Sequence, residues 1–178
     1  MTYYGGRELA ASFRTVRKNT IQIAEEIPED SFHYKVSEHS RTVGQTLAHI
    51  GLVHEIALHT HKNGIDDLKK LNFPELMQKL GAEEARPRTK AEIIALLQKN
   101  AEEYASFLEG LDESFLAERV AMPPGATPAT KSRFEMLLSP KEHEMHHRGQ
   151  LMLMQRLIGL TPHLTRQMQE RIAQMARR

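Results

Sequence analysis

Apolar positions recur along this chain at intervals of three and four. Leu9, Phe13, Val16, Thr20, Ile23 and Ile27 step by four, three, four, three and four, so they share one face of a helix predicted from Arg7 to Ile27. Pro28 ends it, because proline cannot continue the hydrogen-bond ladder. A second helix is predicted from Thr42, where Thr42 and Gln45 form a capping box, through Leu47, Ile50 and Val53 to a stop at Asn63-Gly64. A third starts at Thr89, boxed by Glu92, and carries Ile93, Leu97, Ala101, Tyr104, Leu108 and Leu111 on one face. A fourth is predicted from Ser139-Pro140-Lys141-Glu142 to Ile158, with Ser as cap, Pro in the first turn and Gly159 as the stop.

The intervening stretches lack such periodicity. From Ile65 to Arg88, Asn72-Phe73-Pro74, Gly81 and Pro87 interrupt the pattern, so this stretch reads as a connector holding a short helix over Pro74 to Leu80. The segment Met122 to Thr130 is rich in proline and glycine and reads as a connector, with a cover over one bundle end as the alternative. No two-residue alternation is sustained anywhere, so no sheet is expected. Residues 1–178 thus read as a single all-α domain, a four-helix bundle with an additional C-terminal amphipathic helix over Leu164 to Met175. An up-down-up-down order is expected, in which the second and fourth helices begin at the same end. The last helix carries a stripe of Leu164, Met168, Ile172 and Met175, which must be buried either on its own bundle or against another copy.

Composition narrows the function classes. A net charge of +1 and the absence of Trp leave no field and no stacking platform for nucleic acid. No apolar run reaches the roughly 18 residues that a membrane span needs. The opening residues Met1 to Gly6 show neither the basic nor the apolar region of a secretory signal, so a cytoplasmic protein is expected. There is no cysteine, which removes disulfides, thiolate nucleophiles and cysteine metal sites together.

Histidine is abundant, with ten in the chain, and most have no neighbour at a useful spacing. His33, His39, His54, His59, His61 and His163 are read as exposed or hydrogen-bonded side chains; His59 and His61, two apart, fall about 200° apart on a helix and cannot share an ion there. His143 and His147 differ. Four residues apart on a strongly capped helix, they lie one turn apart on one face, and Leu151 and Met154 continue that face toward the core. Such a pair either holds a metal ion or is bonded to backbone and carboxylates. His49, within Thr46-Leu47-Ala48-His49-Ile50 of the second helix, lies seven residues past its cap, a depth comparable with His143, and supplies a third imidazole. Three neutral imidazoles leave a coordination position open, as catalytic metal sites do.

The same residues spell H-E-x-x-H over His143 to His147, a zinc-protease motif with Glu144 as base. The extended protease pattern fails, since Gln150 and Leu153 stand where glycine and histidine are wanted, and no strand is predicted to hold a peptide. Glu144 points about 100° away from His143 and is expected to be solvated or to support a ligand from behind.

Thr42-Val43-Gly44-Gln45-Thr46-Leu47-Ala48-His49-Ile50, together with His143-x-x-x-His147-Arg148-Gly149-Gln150-Leu151, resembles the DinB/YfiT-like metalloenzymes over nearly the whole chain. The resemblance implies a four-helix bundle, a frequent homodimer, and a divalent metal ion, zinc or nickel, held by His49, His143 and His147. It also implies, for some relatives, transfer of a low-molecular-weight thiol to an electrophile. On that reading the metal holds the thiol of a small-molecule substrate as thiolate. Basic residues near the metal would then meet its carboxylates, Arg148 being nearest in sequence. Two alternatives stay open: a metal-dependent hydrolase using a metal-bound water, and a non-catalytic metal-binding stress-response protein. No catalytic residue is assigned, and Glu144, His146, Arg148 and Gln150 receive no role.

Overall fold

A computed structural model describes residues 4–177. Its elements in order are α1 (Gly6–Glu26), α2 (Val43–Leu52), α3 (His54–Lys62), α4 (Phe73–Ala85), α5 (Lys90–Glu109), α6 (Glu113–Ala117), β1 (Arg119–Ala121), β2 (Thr130–Ser132), α7 (Arg133–Leu157) and α8 (His163–Met175). The fold is all-α. Helices α1, α5, the α2–α3 pair and α7 form a four-helix bundle in which α5 and α7 each pack against both α1 and α2. The expected starts of the first three bundle helices hold. Ile27 is the C-cap of α1, the boxes at Thr42 and Thr89 both form, and Gly64 takes φ +63°, the left-handed value that suits glycine at a helix stop.

Four expectations are corrected. The fourth helix begins two turns earlier than Ser139: Ser132 caps α7 with Glu135 completing the box, and Pro140 lies inside the helix. Both serines head an S-x-x-E sequence, and the earlier box wins because it lets the helix bury Leu137. The second helix breaks at Val53, where a three-residue hydrogen bond from Ile56 N–H to the Val53 carbonyl replaces the regular ladder. A small antiparallel pair exists after all, with Arg119 opposite Ser132 and Ala121 opposite Thr130. It delivers Ser132 to its capping position. Fourth, the connector Ile65 to Arg88 holds a helix of thirteen residues, α4, capped by Asn72.

The order is not up-down-up-down. His49 of α2 meets His143 and His147 of α7, whereas His61, twelve residues later, meets Arg133, at the start of α7. These segments therefore run antiparallel. Lys90 at the start of α5 reaches the Glu25 and Ile27 carbonyls at the end of α1, and Arg14 pairs with Glu102 and Glu109 further along, so α1 and α5 are antiparallel. Lys141 pairs with Ser12 and Glu144 with Arg17, which makes α7 parallel to α1. The order is up, down, down, up. The long link through α4 carries the chain back along the bundle, so that α5 repeats the direction of α2.

The core has two apolar clusters. One contains Leu9, Phe13, Tyr104, Leu108 and Leu137, the other Ile23, Ile27, Leu47, Leu97 and Leu151. Between them lies a buried ionic layer. Arg17, 1% exposed, donates from Nε to both Glu144 oxygens at 3.0 Å, from Nη1 to the Leu97 carbonyl at 2.9 Å and from Nη2 to the Ile50 carbonyl at 3.2 Å. It thereby ties all four bundle helices at one level. Beyond the half-buried Leu164, the α8 stripe does not pack on this bundle: Met168, Ile172 and Met175 are 56%, 60% and 73% exposed. Only His163 at the start of α8 is buried, bonded to Asn19 of α1.

Candidate metal centre

His49, His143 and His147 converge. One ring nitrogen from each lies within 4.8 Å of the others. The Nε2 of His143 stands 3.2 Å from the Nε2 of His49 and 3.2 Å from that of His147. Equal depth from two helix starts at the same end, the expected cause, is not what brings them together. His143 stands eleven residues past the true cap Ser132, in mid-helix, and meets His49 because α7 runs opposite to α2.

The outer ring nitrogens of His49 and His147 are fixed, whereas His143 Nδ1 is buried with no partner among the described residues. His49 Nδ1–H donates to Glu84 Oε2 at 2.8 Å, and Glu84 is itself held by Arg41. Burial pushes the Glu84 carboxyl up, but the hydrogen bonds from Arg41 and His49 outweigh it and hold the group below its ordinary range, as a carboxylate. His147 Nδ1–H donates to Gln150 Oε1 at 2.7 Å, and Gln150 in turn meets His146. A proton on each Nδ1 leaves the facing Nε2 with a bare lone pair.

Burial favours the neutral form of two of the rings, His143 and His147. Burial, then the neighbouring His147 and His49, pull His143 down to about 4. Burial likewise lowers His147 against the opposing effect of Gln150. The donor set fits a divalent cation on these observations. Two lone pairs point at His143 Nε2, which has at most one proton to share between them. A cation at their meeting point satisfies all three, and neutral imidazole is the form that ligates.

The cluster sits where three recesses meet. His143 lines an apolar cavity of about 390 Å³ with Ile56, Met136 and Pro140. His147 lines a more polar recess of about 740 Å³ with Arg41, Gln45, Glu84 and Gln150. His49 faces a third beside Met77 and Leu80. The segment read as a plain connector contributes Met122 and Pro123 to the wall of the apolar cavity.

Other expectations resolve differently. Glu144 is fully buried in its pair with Arg17, so it is neither solvated nor placed as the base of a zinc protease. Arg148 lines none of the three recesses. Arg41 is the cation beside the cluster. His54 departs from the reading given to solitary histidines: it is 1% exposed, neither ring nitrogen has a partner among the described residues, and burial pulls it down to about 3. Glu84 and Arg41 were missed because no local motif marks them. Glu84 is 35 residues from His49 in a stretch without clear periodicity. The one usable signal was the Asn72-Phe73-Pro74 helix start, which puts Glu84 on a helix.

Comparison with known proteins gives the following. The DinB family model matches residues 1–175. No curated protein matches the chain. A DinB-like protein from Bacillus subtilis, YjoA, is similar at 23% identity and a TM-score of 0.65, over 86% of this chain and 94% of that one. YfiT from Bacillus subtilis, described as a probable metal-dependent hydrolase with an unusual four-helix bundle topology, is similar at 15% identity and a TM-score of 0.68, over 90% and 91%. A putative DinB family member from Exiguobacterium sibiricum is similar at 19% identity and a TM-score of 0.62, over 89% and 94%. At these identities the likeness extends to the fold.

Proposed function

The chain belongs to the DinB family, and from that premise we propose that it is a metal-dependent enzyme whose divalent ion, zinc or nickel, is held by His49, His143 and His147, and which transfers a low-molecular-weight thiol to an electrophile. The observation that carries this reading is the three-histidine cluster, with the outer nitrogens of His49 and His147 held by Glu84 and Gln150 and three recesses opening onto it. A divalent ion there supplies the positive charge that keeps a coordinating thiol deprotonated near neutral pH. The protein has no cysteine, so the thiol comes from a cosubstrate.

The chain's own residues supply the rest. Glu84 and Gln150 lock the ring orientations and tautomers of His49 and His147. Arg41 engages Glu84 through Nε and lines the polar recess, so its outer N–H groups serve a carboxylate of the cosubstrate. The apolar cavity on the His143 side takes the less polar partner. A bundle with a polar and an apolar approach to one centre suits two unlike substrates. Hydrolysis, with water in place of the thiol, is the second reading; the description of YfiT favours it.

A panel of low-molecular-weight thiols, including glutathione and cysteine conjugates, assayed with 1-chloro-2,4-dinitrobenzene separates these readings. Thiol consumption that depends on added zinc or nickel, and that falls in Arg41→Ala through a raised KM, supports transfer. Metal-dependent hydrolysis of model esters or amides without thiol consumption supports the second reading. Full metal occupancy with neither activity supports a non-catalytic metal-binding protein.

A further inference from the structure

The apolar cavity beside His143 is lined also by a second histidine that plays no part in the cluster. Its walls come from Ile56, Ala57, Leu68, Met122, Met136 and Pro140, and His61 of α3 lines it as well. His61 is 2% exposed. Arg133, which has donors only, gives an N–H from Nη1 to His61 Nδ1 at 3.1 Å, so the ring proton sits on Nε2. Burial, with the charge of Arg133, pulls His61 down to about 4 and keeps it neutral. That Nε2–H is buried and has no partner among the described residues. A donor left unmet in an apolar surround is costly and calls for an acceptor. Arg133 is already paired with Glu118 at 2.7 Å and with the Ile65 carbonyl at 3.0 Å, so no spare charge asks for an anion. Along α7, Arg133 and His143 are ten residues apart, about 15 Å at about 1.5 Å per residue.

We propose that this cavity binds a small molecule with an elongated apolar body and an uncharged carbonyl-type oxygen, the oxygen accepting a hydrogen bond from His61 Nε2 and the opposite end lying at His143. His61 is then a specificity-determining residue for the less polar substrate. The identification of the His143 end as the reacting end rests on the metal-centre reading above; the binding itself does not.

The test compares 4-phenylbutan-2-one with butylbenzene, which has a similar body and no oxygen, by titration calorimetry on the full chain, as purified and after chelator treatment. The ketone is expected to bind about five- to tenfold more tightly than the hydrocarbon in both preparations, the gain of one net hydrogen bond. Its addition is expected to shift the His61 Nε2–H resonance in ring-labelled protein. Ala57→Trp is expected to abolish binding of both while leaving the circular dichroism unchanged. Equal affinities, no detectable binding of the ketone, or a ketone that binds without moving the His61 resonance overturns the proposal. The resonance needs no variant, so a misfolded Ala57→Trp leaves the question decidable. Failure of the metal-centre reading shows separately, as absence of metal in the protein as purified and after exposure to zinc and nickel, and leaves the ketone preference and the His61 shift in place.

Discussion

Replacing Arg17 by Met removes one half of an ion pair whose side chains are each 1% exposed. The Glu144 carboxylate then remains at the centre of the bundle without its cation, and the Leu97 and Ile50 carbonyls lose donors at 2.9 and 3.2 Å. Uncompensated buried charges of this kind destabilise by about 3–5 kcal/mol. For a chain of this size that corresponds to a fall in Tm of roughly 6–20 °C. Glu144→Gln keeps an acceptor for Arg17 and should cost less, and Arg17→Met combined with Glu144→Leu should recover much of the loss, because removing both partners leaves no charge stranded. Metal content should be unchanged in Glu144→Gln, since Glu144 faces Arg17 and not the histidines. Thermal and urea unfolding followed by circular dichroism measure all three variants. An Arg17→Met protein within about 1 kcal/mol of the parent would refute the argument that this layer depends on charge pairing. A double variant no more stable than Arg17→Met would do the same.

Glu84→Ala should weaken zinc binding by about 10- to 100-fold with the fold intact, because His49 loses the acceptor on Nδ1; chelator competition measures it, and unchanged affinity would contradict the role given to Glu84. Chelator-treated protein should lose stability as pH falls from about 6.5 toward 4: His61 and His143 titrate near 6.5 when unfolded and are pulled down to about 4 when folded, so the unfolded chain binds more protons in that window. Urea midpoints that do not move between pH 7 and 4 would count against it. We propose that the chain is a homodimer that covers the exposed α8 stripe of Met168, Ile172 and Met175. Light scattering should then give about twice 20.4 kDa, Met168→Glu with Ile172→Glu should give monomer, and a parent mass of 20.4 kDa would sink the proposal.

How much of this could be read from the chain varied with how local the signal was. The faces of α1 and α5, the boxes at Thr42 and Thr89 and the spacing of His143 and His147 are set within one or two turns, and they hold. The start of α7 was misplaced because two S-x-x-E sequences compete and the choice is made by burial of Leu137, a tertiary effect. Helix direction was misjudged because it depends on the α4 link, whose pattern is broken by proline and glycine. Glu144 illustrates the same limit. Its partner Arg17 is 127 residues away, and nothing near either residue announces a buried pair. Of the cluster, the three imidazoles were legible, whereas Glu84 and Arg41, brought in by long-range packing, were not.

The proposed metal site draws three imidazoles from two antiparallel helices, and metal analysis of purified protein beside His49→Ala tests it most directly. His49 is the ligand contributed from outside the His143–His147 turn, so its loss probes the long-range geometry and not the local motif alone. About one equivalent of divalent metal per chain is expected in the parent, and a severe loss in His49→Ala with the helical signal preserved. Full occupancy in His49→Ala, or a parent that binds no metal after exposure to zinc and nickel, would contradict it.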